Sequence, residues 1–334
     1  MGHAAQKLLI FGMFTLVTTI YHPVSAADCS QLYAKPCLAK LPYPTQVPVV
    51  SYDGDDSIYI FGGARWYLTG PAVYSNEILK YTISTDAIQL VALLPIGLYL
   101  GTVTADGLGN YFYFGGAYPG GNSHYVFKFN SYTNQVTQVT RIPFYFHYSA
   151  SFAYDQSTAF IMSGNLFQNG VVKFSMDNYG WSQMADLPTQ FSQAVTFWDK
   201  KTERAYLFGK GNALVNPPYD HVVYQPGPDY SQIHPLDLPD NYLDVAAVSN
   251  DEYNGYIVGG FKETGSLFWY RLDTGDGQYC PVWGLPGGGD ILFSRTGIAL
   301  VPNLKRIYVF GGATQSLTSP WLQTTYDDIW FIEV

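Results

Sequence analysis

Short runs of apolar residues recur along the chain, and each ends in a small residue, followed by a glycine in all but one. They read Ile58-Tyr-Ile-Phe-Gly-Gly63, Tyr111-Phe-Tyr-Phe-Gly-Gly116, Ala159-Phe-Ile-Met-Ser-Gly164, Ala205-Tyr-Leu-Phe-Gly-Lys210, Gly255-Tyr-Ile-Val-Gly-Gly260 and Ile307-Tyr-Val-Phe-Gly-Gly312. Such short, β-branched and aromatic runs bounded by glycine predict buried strands rather than helices. The first small residue falls at 62, 115, 163, 209, 259 and 311, a spacing of 46 to 53 residues. A period of that size signals a propeller or a solenoid.

The polar positions between these runs complete the repeat. Ahead of each run lies a strand of small residues, such as Gly101-Thr-Val-Thr-Ala105 or Asp244-Val-Ala-Ala-Val248. Small side chains suit the crowded innermost strand of a blade. Turns rich in Asp, Asn and Gly join the two strands, as in Asp53-Gly-Asp-Asp56 and Asp106-Gly-Leu-Gly-Asn110, and these predict hairpins. A variable loop follows, then a third strand such as Glu77-Ile-Leu-Lys-Tyr81. A fourth strand closes on an apolar residue and Pro, as in Leu94-Pro95, Ile142-Pro143 and Leu187-Pro188.

The last repeat has only three strands, ending in Asp328–Val334, and the segment from Cys29 to Pro42 reads as the missing fourth. Pairing the two would close a ring and remove the exposed sheet edge, a need that a solenoid does not have. The expected fold is therefore all-β: a six-bladed propeller of four-stranded blades, closed by the N-terminal strand on the C-terminal repeat.

The Gly-Gly doublet after a strand, the aromatic third strand and the Leu-Pro close resemble kelch repeats over almost all of residues 27–334. The doublet is changed to Ser163-Gly164 and Gly209-Lys210 in the third and fourth repeats. Of the Arg-x-Gly-His signature that often opens the inner kelch strand, only Arg295-Thr-Gly297 remains. The resemblance implies a kelch-type propeller. It leaves function open, because such folds serve as scaffolds, receptors and enzymes.

Composition narrows the setting. Charged residues make up 13% of the chain and aromatics 17%, and the formal net charge is −9. With no basic cluster, this acidic chain is not expected to bind nucleic acid. Lys7 precedes an apolar run, Leu8 to Ile20, that is too short to span a bilayer, and Val24-Ser25-Ala26 supplies the small residues of a cleavage site. Residues 1–26 thus read as a signal peptide, residues 27–334 as one secreted domain, and no later stretch reads as a membrane span. In an oxidising compartment the three cysteines predict a disulfide. The sequence-near pair Cys29–Cys37 is the first expectation, and a link from one of them to Cys280 is the alternative.

The loops between second and third strands and the connectors between blades should share one face. That face would gather Arg65, Trp66, Tyr67, Tyr99, Tyr118, Tyr145, His147, Phe167, Tyr219, Tyr242, Arg295 and Trp321, together with Phe144, Phe146, Tyr148 and Phe191. Planar side chains with polar tips suit sugars and peptide side chains. The expectation is a non-catalytic module that binds an extracellular protein or glycan there, with no catalytic residues, cofactor or metal. One alternative is a small-molecule enzyme of the cyclase or sugar-acid mutarotase kind, which would need Arg65, His147, Glu263 and Arg295 to converge at the channel mouth. A structural role in an extracellular matrix or secretion is another. The acidic stretches Asp53–Asp56 and Asp273–Gly277 read as hairpin turns, since they lack the spaced ligands of a calcium loop.

Overall fold

The computed structural model describes residues 29, 32–65, 72–211, 221–234, 244–249, 253–260, 266–287, 291–316, 318 and 323–334. The signal-peptide reading of residues 1–26 lies outside them. Among the described residues the only helix is a single 3₁₀ turn, Pro302–Leu304, and no helix is long and apolar enough to cross a membrane.

Small antiparallel sheets form a propeller-like ring of four-stranded blades. The first sheet runs Val49–Tyr52, Ser57–Phe61, Glu77–Thr82, Ala87–Leu93, and the second Thr102–Ala105, Asn110–Phe114, Tyr125–Asn130, Gln135–Arg141. The third is Ala150–Ala153, Thr158–Gly164, Gln168–Ser175, Trp181–Gln183, and the fourth Phe191–Asp199, Arg204–Gly211, His221–Gln225, Tyr230–His234. An eight-stranded sheet follows, in the order Ala246–Ser249, Asn254–Val258, Ser266–Arg271, Gly277–Trp283, Leu32–Lys40, Asp328–Glu333, Arg306–Phe310, Gly297–Val301, and a small sheet of Ile291–Ser294, Ala313–Ser316 and Gln323–Thr325 stands apart from it. The two halves of the eight-stranded sheet meet where Leu32 and Tyr33 run parallel to Val282 and Trp283. The expected closure is present: Ala34, Lys35 and Pro36 pair antiparallel with Ile332, Phe331 and Trp330. The innermost strands complete the ring, each lying against the next, from Val49–Tyr52 through Thr102–Ala105, Ala150–Ala153, Phe191–Asp199, Ala246–Ser249 and Gly297–Val301 back to Val49–Tyr52.

Burial explains the strand composition. The second strands have neighbouring sheets on both faces and no polar alternation, and Ser57–Phe61 is buried throughout. The outermost strands Ala87–Leu93 and Gln135–Arg141 share one pattern of exposed and half-buried positions. Aromatic rings fill the junctions between sheets. Tyr59 and Phe61 meet Tyr111 and Phe129 between the first two sheets, and Phe152 stacks on Trp198 at 4.6 Å between the third and fourth. Tyr81 packs on Tyr308 and Phe310 across the seam where the ring joins up. The variable loops are not wholly irregular. Ala64–Arg65 pairs with Val73–Tyr74, and Ala117–Tyr118 with Gly121–Asn122.

The degenerate doublet of the third repeat has a physical cause. At the first doublet position a Cβ on Gly62 would lie 2.2 Å from the Leu98 carbonyl oxygen, and one on Gly311 would lie 2.3 Å from that of Thr45. Ser163 adopts the same left-handed conformation, φ 53°, but its hydroxyl makes use of the close approach. It donates to the Gln168 carbonyl and accepts the Phe191 N–H at 3.1 Å, tying the third sheet to the first strand of the fourth.

The disulfide differs from the first expectation. Cys29 is bonded to Cys280 and Cys37 is free. The chain rises roughly 3.3 Å per residue in a strand, so the extended run from Leu32 carries Cys37 far from Cys29. It ends beside the first sheet, with the Tyr81 hydroxyl 3.5 Å from its sulfur. The parallel step onto Gly277–Trp283 instead brings the Cα atoms of Cys29 and Cys280 to 4.6 Å.

A buried histidine gives the fold a measurable acid response. His221 is 3% exposed and its ring stacks on Phe208 at 5.2 Å. Burial, with a smaller contribution from His234, lowers its pKa to about 4. Between pH 6.5 and 4 the unfolded chain therefore binds a proton that the folded one refuses, and stability falls as pH falls through that window. The expected loss is about 3 kcal/mol. Urea unfolding of wild type and His221→Phe from pH 7 to 4 measures it, and a slope unchanged by the substitution would remove this assignment.

Candidate functional site

Five of the six inner strands are entered through one residue that rounds the mouth of the central channel. These are Val47, Leu100, Tyr148, Asp244 and Arg295, with φ of 47°, 61°, 57°, 50° and 60°. None is glycine, and a left-handed backbone at such residues costs of order 1–3 kcal/mol each. Hydrogen bonds between neighbouring sheets hold them in place. The Val47 N–H donates to the Arg295 carbonyl at 2.7 Å, and the Arg295 N–H to that of Asp244 at 2.8 Å. The Tyr148 N–H donates to the Leu100 carbonyl at 2.9 Å, and the Ala194 N–H to that of Tyr148 at 2.9 Å. Between the fourth and fifth inner strands a side chain replaces the backbone. The Gln193 Oε1 accepts the Asp244 N–H at 3.1 Å while its Nε2 donates to Asp244 Oδ1 at 2.7 Å.

This rim encloses a cavity of about 210 Å³, lined by the rim residues and by small residues of the inner strands, among them Thr102, Ser151 and Thr196. Two neighbouring rim residues form an ion pair, with Arg295 Nε donating to Asp244 Oδ2 at 2.7 Å. Arg295 Nη1 also donates to Oε1 of Gln46, which is wholly buried and accepts a second bond from Gln323 Nε2. Gln46 Nε2 donates to the Thr325 hydroxyl at 2.8 Å, so the amide has partners at both ends. Burial foremost, then the Asp244 charge, pushes the Tyr148 pKa far up, so its hydroxyl remains protonated beside Asp244. Asp244 thus accepts from Arg295 and Gln193 together. A carboxylate held in this way positions the groups around it.

Beside this cluster stand Tyr99 and His147. Tyr99 stacks on Tyr74 at 4.3 Å and meets the His147 ring edge-on at 6.3 Å. Its pKa is pushed up to about 12, mainly by burial, then by the bond and charge of Tyr74, with Arg295 opposing. Burial lowers the His147 pKa, and its buried Nδ1 has no hydrogen-bond partner. The site therefore offers guanidinium and phenol donors, one neutral imidazole and planar ring faces.

No protein-family model and no curated protein matches the chain. What the site can do rests on the placement of its residues. Of the side chains singled out in the sequence, Arg295, His147 and Tyr99 share the mouth. Arg65 is committed elsewhere: its guanidinium bonds Glu77 at 2.8 Å and lies 3.4 Å from the centre of the Tyr43 ring. Tyr145 is exposed against His124, and Tyr118 packs onto the core between the first two sheets. Phe167 is buried between Phe144 and Phe146, and Phe146 and Phe191 are wedged between sheets. Trp66, Tyr67, Tyr219, Tyr242, Glu263 and Trp321 lie outside the described residues. Asp244, Gln193 and Gln46 were missed by the reading for exposed aromatics. The repeat held a signal for the first of them, since Asp244 and Arg295 stand at matching positions 51 residues apart.

Proposed function

We propose that the chain is a secreted, six-bladed propeller of the kelch type that binds an extracellular protein or glycan over the mouth of its channel, without catalysing a reaction. The blade count is supported by the cycle of inner strands. The kelch type is supported by the period and the glycine doublets, and secretion by the N-terminal apolar run and the Cys29–Cys280 bond. The binding role rests on one observation above all: the mouth carries hydrogen-bonding groups and tyrosine faces around an arginine already paired with Asp244. Because that pair brings no net charge, binding depends on shape and hydrogen bonds, which suits a hydroxyl-rich ligand or a polar loop.

The test is a glycan array and a pull-down from secreted proteins, followed by titration of whatever binds. Tyr99→Ala should weaken that ligand at least tenfold with the fold retained by circular dichroism, and 0.5 M salt should change affinity little. A wild-type protein blank on both screens overturns the reading, as does turnover of a bound sugar. The unpartnered Nδ1 of His147 at the rim is the feature that favours an enzyme.

A further inference from the structure

The inner strands run from the channel mouth to hairpin turns at the far end of the ring, and a second cavity opens there between the first and second sheets. It measures about 470 Å³, within the range of small-molecule sites. Its walls include Tyr52, Tyr59, Tyr111 and Tyr132, with Asp53 and Asp55 from the first hairpin turn. We propose that this cleft is a binding site for an alkylammonium group.

The charges at its edge are unbalanced. Asp53, Asp55 and Asp56 line the cleft against one cation, Lys80. Asp56 spends both oxygens on the Ser84 N–H and hydroxyl, and Asp53 Oδ1 accepts the N–H groups of Asp55 and Ser57. Asp53 Oδ2 and both Asp55 carboxylate oxygens make no hydrogen bond among the described residues, so they are free to meet a cation.

A second feature, inside the cleft, points to a ligand independently. Tyr111 is only 2% exposed, yet its hydroxyl has no hydrogen-bond partner among the described residues, and the residue lines the cavity. That hydroxyl opens onto the cleft, and a ligand atom there would give it a partner in place of solvent. Tyr132 adds a wall. It is 81% exposed, but its ring lies over Gly109, where a Cβ would come within 2.4 Å of it. Its N–H is held by the Asn130 side chain at 3.1 Å.

Carboxylates beside tyrosine faces select the ligand class. A neutral sugar can donate hydroxyls to the carboxylates but leaves their charge unbalanced, and a hydrated metal ion makes no use of the rings. An ammonium on a short alkyl chain uses both, through charge, cation–π attraction and burial of its methylenes. The group could belong to a free diamine or to a lysine side chain on another protein.

Calorimetric titration with putrescine and with Nα-acetyl-lysine methylamide separates these sources, and 1,4-butanediol serves as the uncharged control. At least one amine should bind and the diol should not. Asp55→Asn and Tyr132→Ala, both at exposed positions, should each weaken binding about tenfold. Tyr111→Phe should weaken it several-fold, and 0.5 M salt should do the same. Substitution of Tyr99 at the opposite face should leave it unchanged, so failure of the channel-mouth reading and failure of this one are told apart. Binding of neither amine overturns the proposal. So does equal binding of the diol, or an Asp55→Asn protein with wild-type affinity.

Discussion

Replacing Asp244 with alanine is expected to cost the protein about 3–5 kcal/mol of stability. The carboxylate is buried, its side chain 7% exposed, and the Arg295 side chain is 25% exposed. Removing it strands the guanidinium and leaves Gln193 Nε2 without its acceptor. Alanine also tolerates the left-handed conformation at this position, φ 50°, less well than aspartate does. Asp244→Asn keeps that tolerance and the side-chain shape and should cost less. Removing Arg295 as well should restore part of the loss, because no uncompensated charge then remains. A double-mutant cycle by urea unfolding reads the coupling directly. A loss below about 0.5 kcal/mol for Asp244→Ala, the scale of an ordinary surface substitution, would mean that water already serves the pair and that the rim is not held by it.

The second large effect is expected at the ring's seam. The Cys29–Cys280 bond closes a span of 251 residues, and on the chain-entropy view such a loop adds about 5 kcal/mol by restricting the unfolded chain. The double variant Cys29→Ser, Cys280→Ser should lose several kcal/mol. The loss should have a location too: hydrogen exchange should quicken in Leu32–Lys40 and in its partner Asp328–Glu333, and change little in the second and third sheets. Uniform exchange throughout would show that the bond acts only on the unfolded state. A melting temperature equal to that of the wild type would remove the stabilising role altogether.

What the sequence disclosed follows from the range of the interactions concerned. Second strands were legible because a strand buried on both faces must be apolar at every position, as Ser57–Phe61 and Arg306–Phe310 nearly are. The seam was legible because an unpaired edge is costly and the strand count at the two ends was complementary. Site chemistry was less so. Arg295 bonds Gln46 from 249 residues away and Asp244 from 51, and a polar residue in a loop carries no mark of whether it will meet such a partner. The aromatic connectors misled for a related reason. Phe146 falls between strands and Phe191 opens one, but each ring drops into a junction between sheets, where apolar bulk is required. The disulfide turned on the same distinction. Nearness along the chain favoured Cys37, whereas an extended strand makes nearby residues distant and the parallel step onto Gly277–Trp283 makes distant ones adjacent.

The seam also sets a timetable for the nascent chain. Lys35 emerges from the ribosome 298 residues before Glu333, its ion-pair partner. At about 5–20 residues per second, the strand Leu32–Lys40 spends roughly 15 to 60 s without the neighbour that covers its edge. Through most of that interval Cys29 has no Cys280 to meet, and Cys37 is the thiol within reach. A cell producing this protein therefore has to shield one strand and one sulfur until translation is nearly finished, and chaperones and disulfide isomerases are the factors on which its yield should depend.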